Sequence, residues 1–494
     1  LSRPSASFDV EGDESVTAPV IVWFRDDLRL ADHPALAAAA TDGRPVLCVF
    51  VHDEQSAGLR RLGGAARWWL AQSLRALDRD LRKGGGRLDL RTGAAADVLL
   101  TIAAETGAGA VHWNRRHDRA GRAVDTDVEQ RLAARGIEVR TFPARLLHEP
   151  DRLRTKSGAP FSVFTPFWRR LRELTPPAPL PAPTRLAAPP PCRSEAIETW
   201  GLEPHSPDWA GGLRAAWIPG EAAARDRIAR FIDEKLAGYA ARRDRPGLDG
   251  TSLLSPHLRF GEISAVQVRQ AILLASEHMR GPSPADTDKF MSEIGWREFC
   301  HHLLYHRGDL HRRNIQARFD AFPWRDDAAA LGAWERGRTG YPLVDAGMRQ
   351  LWATGWMHNR VRMVTASFLV KHLMIDWRLG ESWFWDTLVD ADAADNPAGW
   401  QWVAGSGADA APFFRIFNPV TQSQKFDADG AYIRRWIPEL AGLADRDIHA
   451  PWTALPSTKT SGARAYPDPI VDHAAARARA LAAFSRLGKT DPEC

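Results

Sequence analysis

Five short apolar, β-branched runs punctuate the first third of the chain: PVIVWF (19–24), PVLCVFV (45–51), RLDLRT (87–92), AVHW (110–113) and IEVRTF (137–142). Between them the spacing of apolar positions changes. Over 65–83, Leu70, Leu74, Leu77 and Leu81 recur at i, i+4, i+7 and i+11, the stripe of an amphipathic helix. Strand–helix alternation predicts an α/β domain over 19–150, a Rossmann-like parallel sheet of five strands covered by helices. No G-x-G-x-x-G follows the first run, so the dinucleotide fingerprint is not expected.

The stretch LTPPAPLPAPTRLAAPPPC (174–192) is too rich in proline for helix or sheet interior and predicts an extended surface connector. The whole of 151–215 is expected to be an interdomain linker. Beyond it strand-like runs nearly vanish, and 216–494 predicts an all-α domain. No internal repeat is visible.

The length of 494 residues requires more than one core. Residues 1–18 are polar and acidic, lack an apolar segment, and read as a disordered lead-in rather than a secretory signal. No run of about 18 apolar residues exists, so no membrane span is expected. Four cysteines without C-x-x-C spacing argue against a disulfide scaffold or zinc ribbon and fit a reducing, cytoplasmic setting. A net charge of +4 excludes a histone-like global grip on DNA but leaves room for a local phosphate-binding patch. The aromatic bias, 20 Trp against 5 Tyr, is more than a core requires and asks for a function.

Candidate chemistry lies in the helical half. In GYAARRDRPGLDGTSLLSPHLRFGEIS (238–264), Ser255-Pro256 has the form of an N-cap with proline at the first helical position, and Ser264 with Gln267 forms a capping box. Thr251 and Ser252 just upstream offer hydroxyls where a phosphate is well held; a merely well-capped turn is the equal alternative. The cluster Arg242, Arg243 and Arg245 reads by itself as a solvated face. In GWMHNRVRMVTASFLVKHLMIDW (355–377), Asn359, Arg362, Met363 and Ala366 share one helical face, more a pocket wall than a core stripe. Arg362 needs a carboxylate if buried, and Asp390 or Asp392 can supply it; extended backbone would point both the same way. Glu293, Trp296 and Arg297 set an acid, a flat ring and a cation on one face, which suits a nucleobase. Cys300, His302 and His306 lack H-E-x-x-H spacing, so no metal is expected. DNPAGWQWVAGSG (395–407) places Trp400 and Trp402 two apart among small residues, and reads as an irregular or extended loop.

Taken together, VIVWFRDDLRLADHPAL, RWWLAQSLRALDRDL, DGTSLLSPHLRFGEIS, WREFCHHLL, GYPLVDAGMRQLWATGWMHNRVRM and NPAGWQWVAGSGADAAPFFRIFNPVTQSQKFD resemble the photolyase/cryptochrome flavoproteins from about 19 to about 440. The resemblance implies an antenna domain followed by a helical domain that binds FAD in a U shape. It implies that Tyr239 and Thr251, Ser252, Leu253, Leu254 and Ser255 hold the FAD phosphates and ribityl chain. Asp390, Ala391 and Asp392 would face the flavin, with Arg362 paired to Asp390, and Asn396 would stand next to flavin N5. Trp400, Trp377 and Trp324 occupy the positions of the family's electron-hopping chain. Glu293, Trp296, Asn359, Met363 and Trp402 match lesion contacts; Arg243, Arg297, Arg360 and Gln422 match DNA contacts.

The implied activity is light-driven splitting of cyclobutane pyrimidine dimers in UV-damaged DNA by electron transfer from photoexcited reduced FAD. Asn396 and the MHNRVRM segment resemble dimer-repair enzymes of class I or class III. The rival readings are a blue-light receptor of the cryptochrome type that repairs nothing, and a nucleic-acid-binding flavoprotein whose tryptophans are structural. Two positions depart from the pattern: Leu253 replaces a common arginine, and Ala120 and Gly121 stand where folate-binding relatives carry Asn and Glu. The antenna chromophore, methenyltetrahydrofolate or a deazaflavin, is therefore left open. A monomer is expected.

Overall fold

The computed structural model describes residues 17–277, 281–409, 414–454 and 466–487; the lead-in expected over 1–18 lies, up to residue 16, outside them. All five predicted strands form: β1 (Val20–Phe24), β2 (Val46–His52), β3 (Leu88–Thr92), β4 (Ala110–Asn114) and β5 (Glu138–Phe142). They make one parallel sheet in the order β3-β2-β1-β4-β5. Val22 pairs with Cys48 on one side and His112 on the other, so β1 is central. Period-two alternation divides its side chains between two cores. Val20, Val22 and Phe24 face the Gly64–Lys83 helix, whereas Ile21 and Trp23 face the Ala95–Thr106 helix.

The order of strands reverses between β1 and β4, and their carboxyl ends point at the helical domain. The core on the Gly64–Lys83 side runs on without a break into Leu213, Trp217, Phe260 and Val389. A buried carboxylate pins this junction. Glu262 accepts from Trp69 Nε1 (3.1 Å) and Gly220 N (2.8 Å) and is also bound by Ser73 and His257.

The segment 151–215 is not connector throughout. Its proline-rich part is extended, but Phe164–Arg172 is a helix that buries Phe164, Phe167 and Leu171 in the core of the helical domain. An i, i+3, i+7 apolar spacing in FTPFWRRL accounts for it. The predicted 355–377 helix is also divided. An α-helix covers Asn359–Ser367, a π-helical turn follows at Phe368–Leu373, and Met374 in left-handed conformation (φ 56°) ends it before the Trp377–Thr387 helix. Among the described residues, no helix is long and apolar enough to cross a membrane.

Arg60, in the α/β domain, holds Glu381 of the helical domain by two hydrogen bonds of 2.7 and 2.9 Å, and Glu381 is only 2% exposed. Removing the cation leaves a buried carboxylate unpaired. Arg60→Met is expected to lower unfolding free energy by about 3 kcal/mol. Arg170→Met, which breaks a solvent-exposed pair with Glu173 (2.8 Å), should cost roughly 0.5 kcal/mol or less. Urea denaturation of the two variants checks the contrast.

Candidate functional site

The site is built where the 238–264 segment, the Pro284–Arg307 helix, the Asn359–Ser367 helix and the 390–404 segment converge. Ser255 is the first residue of a short helix, not its N-cap; its hydroxyl instead donates to Asp390 Oδ2 (2.6 Å). Arg362 Nη2 donates to the same oxygen at 2.8 Å, while its Nε is fixed on the Met357 carbonyl (2.7 Å). The predicted Arg362–carboxylate pair is thus present, and Asp390 is the partner. The other oxygen, Asp390 Oδ1, is buried without a partner in the protein. A buried acceptor left so is costly, and it fits a ligand N–H or hydroxyl.

Asp392 does not share that environment. Residues 389–390 form a turn and 393–394 a second one, so the chain is not extended through the pair and the two carboxylates go to different partners. Asp392 Oδ2 accepts from Arg145 Nη2 (3.0 Å); its Oδ1 accepts from Ala394 N (2.7 Å) and Asp395 N (3.3 Å) and lies 3.6 Å from His301 Nε2. Burial would raise its pKa, but His301, Arg145 and Arg259 outweigh burial and hold it far below the usual carboxylate range. Burial and the Asp392 charge together push Asp395 up to about 8, so Asp395 carries a proton at neutral pH. His301, Asp392 and Asp395 bring possible ligand atoms within 4.8 Å of one another. In the discounted set the His302 and His306 rings meet edge to face (centroids 4.5 Å), but His302 accepts from Phe161 N (3.0 Å) and His306 donates to Pro150 O (3.2 Å).

Upstream, Tyr239 is buried, which pushes its phenol up to about 12. Thr251 and Ser252 are half-buried, and Leu253 takes a left-handed conformation (φ 53°), unfavourable for a branched side chain. Leu254 is buried in the core and so packs rather than lines the opening.

The stretch 395–407 is helical, not extended: Asp395–Ala404 is an α-helix ended by Gly405 with φ 94°. Asp392 supplies the reason, because its carboxylate caps the free N–H groups at the start. Two residues apart on a helix is about 200° of rotation, so Trp400 and Trp402 still face different surroundings. Trp400 is buried against Phe384 and Trp334, with ring centroids at 5.0 and 6.1 Å. Its approach requires Gly380, where a Cβ would stand 2.2 Å from the indole. Trp402 is half-buried. Trp377 is wholly enclosed and donates to Asn314 Oδ1 (2.9 Å); Trp324 is half-buried beside Phe322 (4.4 Å). Of the three predicted members, Trp400 and Trp377 are thus buried and Trp324 is half-buried. Asn396 donates from Nδ2 to the Glu381 carbonyl (3.0 Å) and carboxylate (2.8 Å), so Arg60 orients it through Glu381.

The predicted surface residues are mostly partnered. Arg243 is paired with Glu293 (2.8 Å), which Lys289 also binds (3.2 Å), and Arg360 is paired with Asp244 (3.0 Å). Asn359 is exposed, and Met363 and Gln422 are half-exposed. Arg297 departs from the expected DNA-facing set. Its guanidinium is turned inward to Glu298 (3.2 Å) and the Arg145 carbonyl (3.3 Å), and is 10% exposed. Helical periodicity placed it beside Trp296, but the buried carboxyl of Glu298 draws it down. Trp296 lies face to face with Phe164 at 3.7 Å. Sequence reasoning missed Arg145, Glu381, Asp395 and Phe164; Phe164 alone has a local signal, the apolar spacing of FTPFWRRL, and that marks its helix but not its contact with Trp296.

A buried carboxylate with one free oxygen beside a hydroxyl-bearing segment, in a domain rich in enclosed tryptophans, suits a bound flavin. The chain belongs to the photolyase/cryptochrome family. Residues 20–184 match the model described as DNA photolyase, and residues 290–486 match the FAD binding domain of DNA photolyase. It is 54% identical to a deoxyribodipyrimidine photo-lyase of Agrobacterium fabrum over 96% of this chain and 99% of that one. It is 39% identical to cryptochrome-2 of Arabidopsis thaliana over 94% of this chain and 78% of that one. The crystal structure of a bacterial class III photolyase from Agrobacterium tumefaciens superposes with a TM-score of 0.93 at 52% identity, covering 98% of this chain and 100% of that one.

A buried acid whose pKa is raised on folding adds stability at low pH that is lost as pH rises from near 4 through about 8. Asp395→Asn removes that loss. Its melting temperature relative to the parent should therefore rise between pH 5 and roughly pH 9, as calorimetry across that range will register. A parallel pair of curves would remove Asp395 from the titration.

Proposed function

We propose that the protein is a light-dependent DNA-repair lyase acting on cyclobutane pyrimidine dimers, with FAD as its cofactor. The single observation that carries the placement of the flavin is Asp390, whose one oxygen is fixed by Arg362 and Ser255 while the other is buried and free. FAD supplies light absorption and an electron that splits the dimer and then returns. The chain does the rest. Tyr239, Thr251, Ser252 and Ser255 border the phosphates and ribityl chain, and Asn396, held by Glu381, presents its amide at the flavin edge. Ala391 and Asp392 serve through their backbone, since the Asp392 carboxylate is already engaged.

The dimer leaves the duplex to reach the cofactor, as photolyase substrates do. Trp296 and Trp402 form the walls of its pocket, Glu293 meets base edges, and Asn359 and Met363 close the rim. Arg243, Arg360 and Gln422 meet the backbone, so binding weakens with salt. Trp400, Trp377 and Trp324 pass electrons inward when oxidised FAD must be reduced. The superposition on a class III enzyme favours that class over class I. A monomer in the cytoplasm is the simplest setting, and Cys48, Cys192 and Cys300 are unpaired as a reducing compartment requires.

An antenna is best accommodated at the surface. The sheet crevice between β1 and β4 is filled: Arg25 covers Trp23 at 4.1 Å and is tied to Asp125 (3.0 Å), which also holds Arg116. By contrast Trp352, 65% exposed, lies nearly parallel to Trp383 (12°, centroids 6.0 Å apart). That pair suits a flat heteroaromatic such as a folate pterin.

Illuminating the reduced protein with a thymine-dimer oligonucleotide should remove dimers; absence of turnover would leave the cryptochrome-type receptor as the reading. Trp324→Phe should slow photoreduction of the oxidised protein yet leave repair by chemically pre-reduced protein intact. Trp352→Ala should release any chromophore other than FAD from the purified protein, as absorption and mass of the extract will report; an undiminished second chromophore would place the antenna elsewhere.

A further inference from the structure

The Phe164–Arg172 helix belongs to the segment between the domains, yet its first turn reaches the pocket assigned to the dimer. Phe164 lies flat on Trp296, centroids 3.7 Å apart and planes 8° apart. Trp168 lies parallel beside Phe164, centroids 6.3 Å apart and again 8° between planes. Phe299 meets both Phe164 and Trp296 edge-on, each at 6.0 Å. The close approach depends on Gly295, because a Cβ there would lie 2.5 Å from the Trp168 ring. At its start the helix is also tied to the far side of the site: Phe164 N donates to Asp409 Oδ2 (3.1 Å), seven residues after Trp402.

We propose that Phe164 is a positioning residue for the dimer pocket: by covering one face of Trp296 it fixes the indole plane and leaves the opposite face as a preformed wall for the flipped dimer. The inference rests on the reading of Trp296 as that wall. An indole without a neighbour on either face has to be immobilised when a base stacks on it, and that ordering is subtracted from affinity. With Phe164 in contact the ordering is complete before DNA arrives. Phe164 itself is 9% exposed and meets no substrate, so its effect is on recognition of the flipped dimer and not on ring splitting.

The test is dark equilibrium binding of thymine-dimer and undamaged oligonucleotides to the FAD-loaded protein carrying Phe164→Leu, Trp296→Leu or both. Phe164→Leu is expected to weaken dimer binding about 3- to 10-fold, to leave undamaged DNA unchanged, and to raise KM rather than lower turnover at saturating DNA. In the Trp296→Leu background the same change should have no further effect, and Phe164→Tyr should restore parental affinity. If Trp296→Leu weakens binding but Phe164→Leu does not, or if the two losses simply add, the positioning role is refuted. An unaltered Trp296→Leu protein would refute the wall reading itself, and the inference with it. Should Phe164→Leu reduce FAD content, Trp168→Leu repeats the cycle one ring farther out with a smaller loss; additive losses there are equally fatal.

Discussion

The structure depends on one guanidinium placed between two carboxylates. Arg145, just beyond β5, donates to Asp26 at the end of β1 (2.9 Å) and to Asp392 in the helical domain (3.0 Å). Arg259 closes the circuit, donating to Asp26 (2.7 Å) and to the Ala391 carbonyl (2.7 Å). Burial alone would raise the pKa of Asp26, but Arg259 and Arg145 outweigh it and bring it to about 2. Charges withdrawn from water cost several kcal/mol each, so such a group is stable only when every member is paired. The carboxyl ends of the strands and the 390–395 turn are therefore one rigid unit. A small cavity bordered by Asp26, His117, Arg145, His301 and Asp392 lies inside it.

That unit explains the division of labour between neighbouring acids. Asp392 is held from behind and caps the Asp395–Ala404 helix, which sets the direction in which Trp400 and Trp402 leave the backbone. Asp390, two residues earlier, is thereby turned toward Arg362 and Ser255 with one oxygen to spare. The same economy governs the surface. Arg243 and Arg360 are already paired with Glu293 and Asp244, so a phosphate has to displace a carboxylate to be bound. Undamaged DNA then gains little from these cations, in keeping with the small net charge of +4. On the proposed reading, discrimination falls to the pocket walls.

Period and punctuation made the α/β half legible: the five runs became the five strands, and Leu70, Leu74, Leu77 and Leu81 became the buried stripe of the Gly64–Lys83 helix. Ser264 and Gln267 form the capping box their spacing predicted. Family motifs brought Arg362 to Asp390. What remained hidden is long-range. Arg145 reaches Asp392 across 247 positions and Arg60 reaches Glu381 across 321, and no local pattern encodes either. Composition misled at 395–407, where Gly, Ala and Asn suggested a loop; capping by Asp392, itself fixed by Arg145, supplies the helix that propensity does not. Arg297 failed for the mirror-image reason, because a helical face shows which residues are neighbours but not which buried acid will claim them.

The excess of tryptophan divides into two physical kinds. Trp377 and Trp400 are enclosed and held by a hydrogen bond or by close packing on glycine, which suits the electron path proposed above. Trp296 and Trp402 are half-exposed, as the wall role proposed above requires. Cryptochrome relatives align over nearly the whole chain, so a shared electron path and flavin cradle cannot by themselves separate repair from signalling. The separating features belong to the second kind, the walls and their supports. Phe164 makes the point, because it spends a buried aromatic ring on holding a half-exposed one still. A photoreceptor has no use for a rigid wall facing solvent, whereas an enzyme that must seize a flipped dimer does.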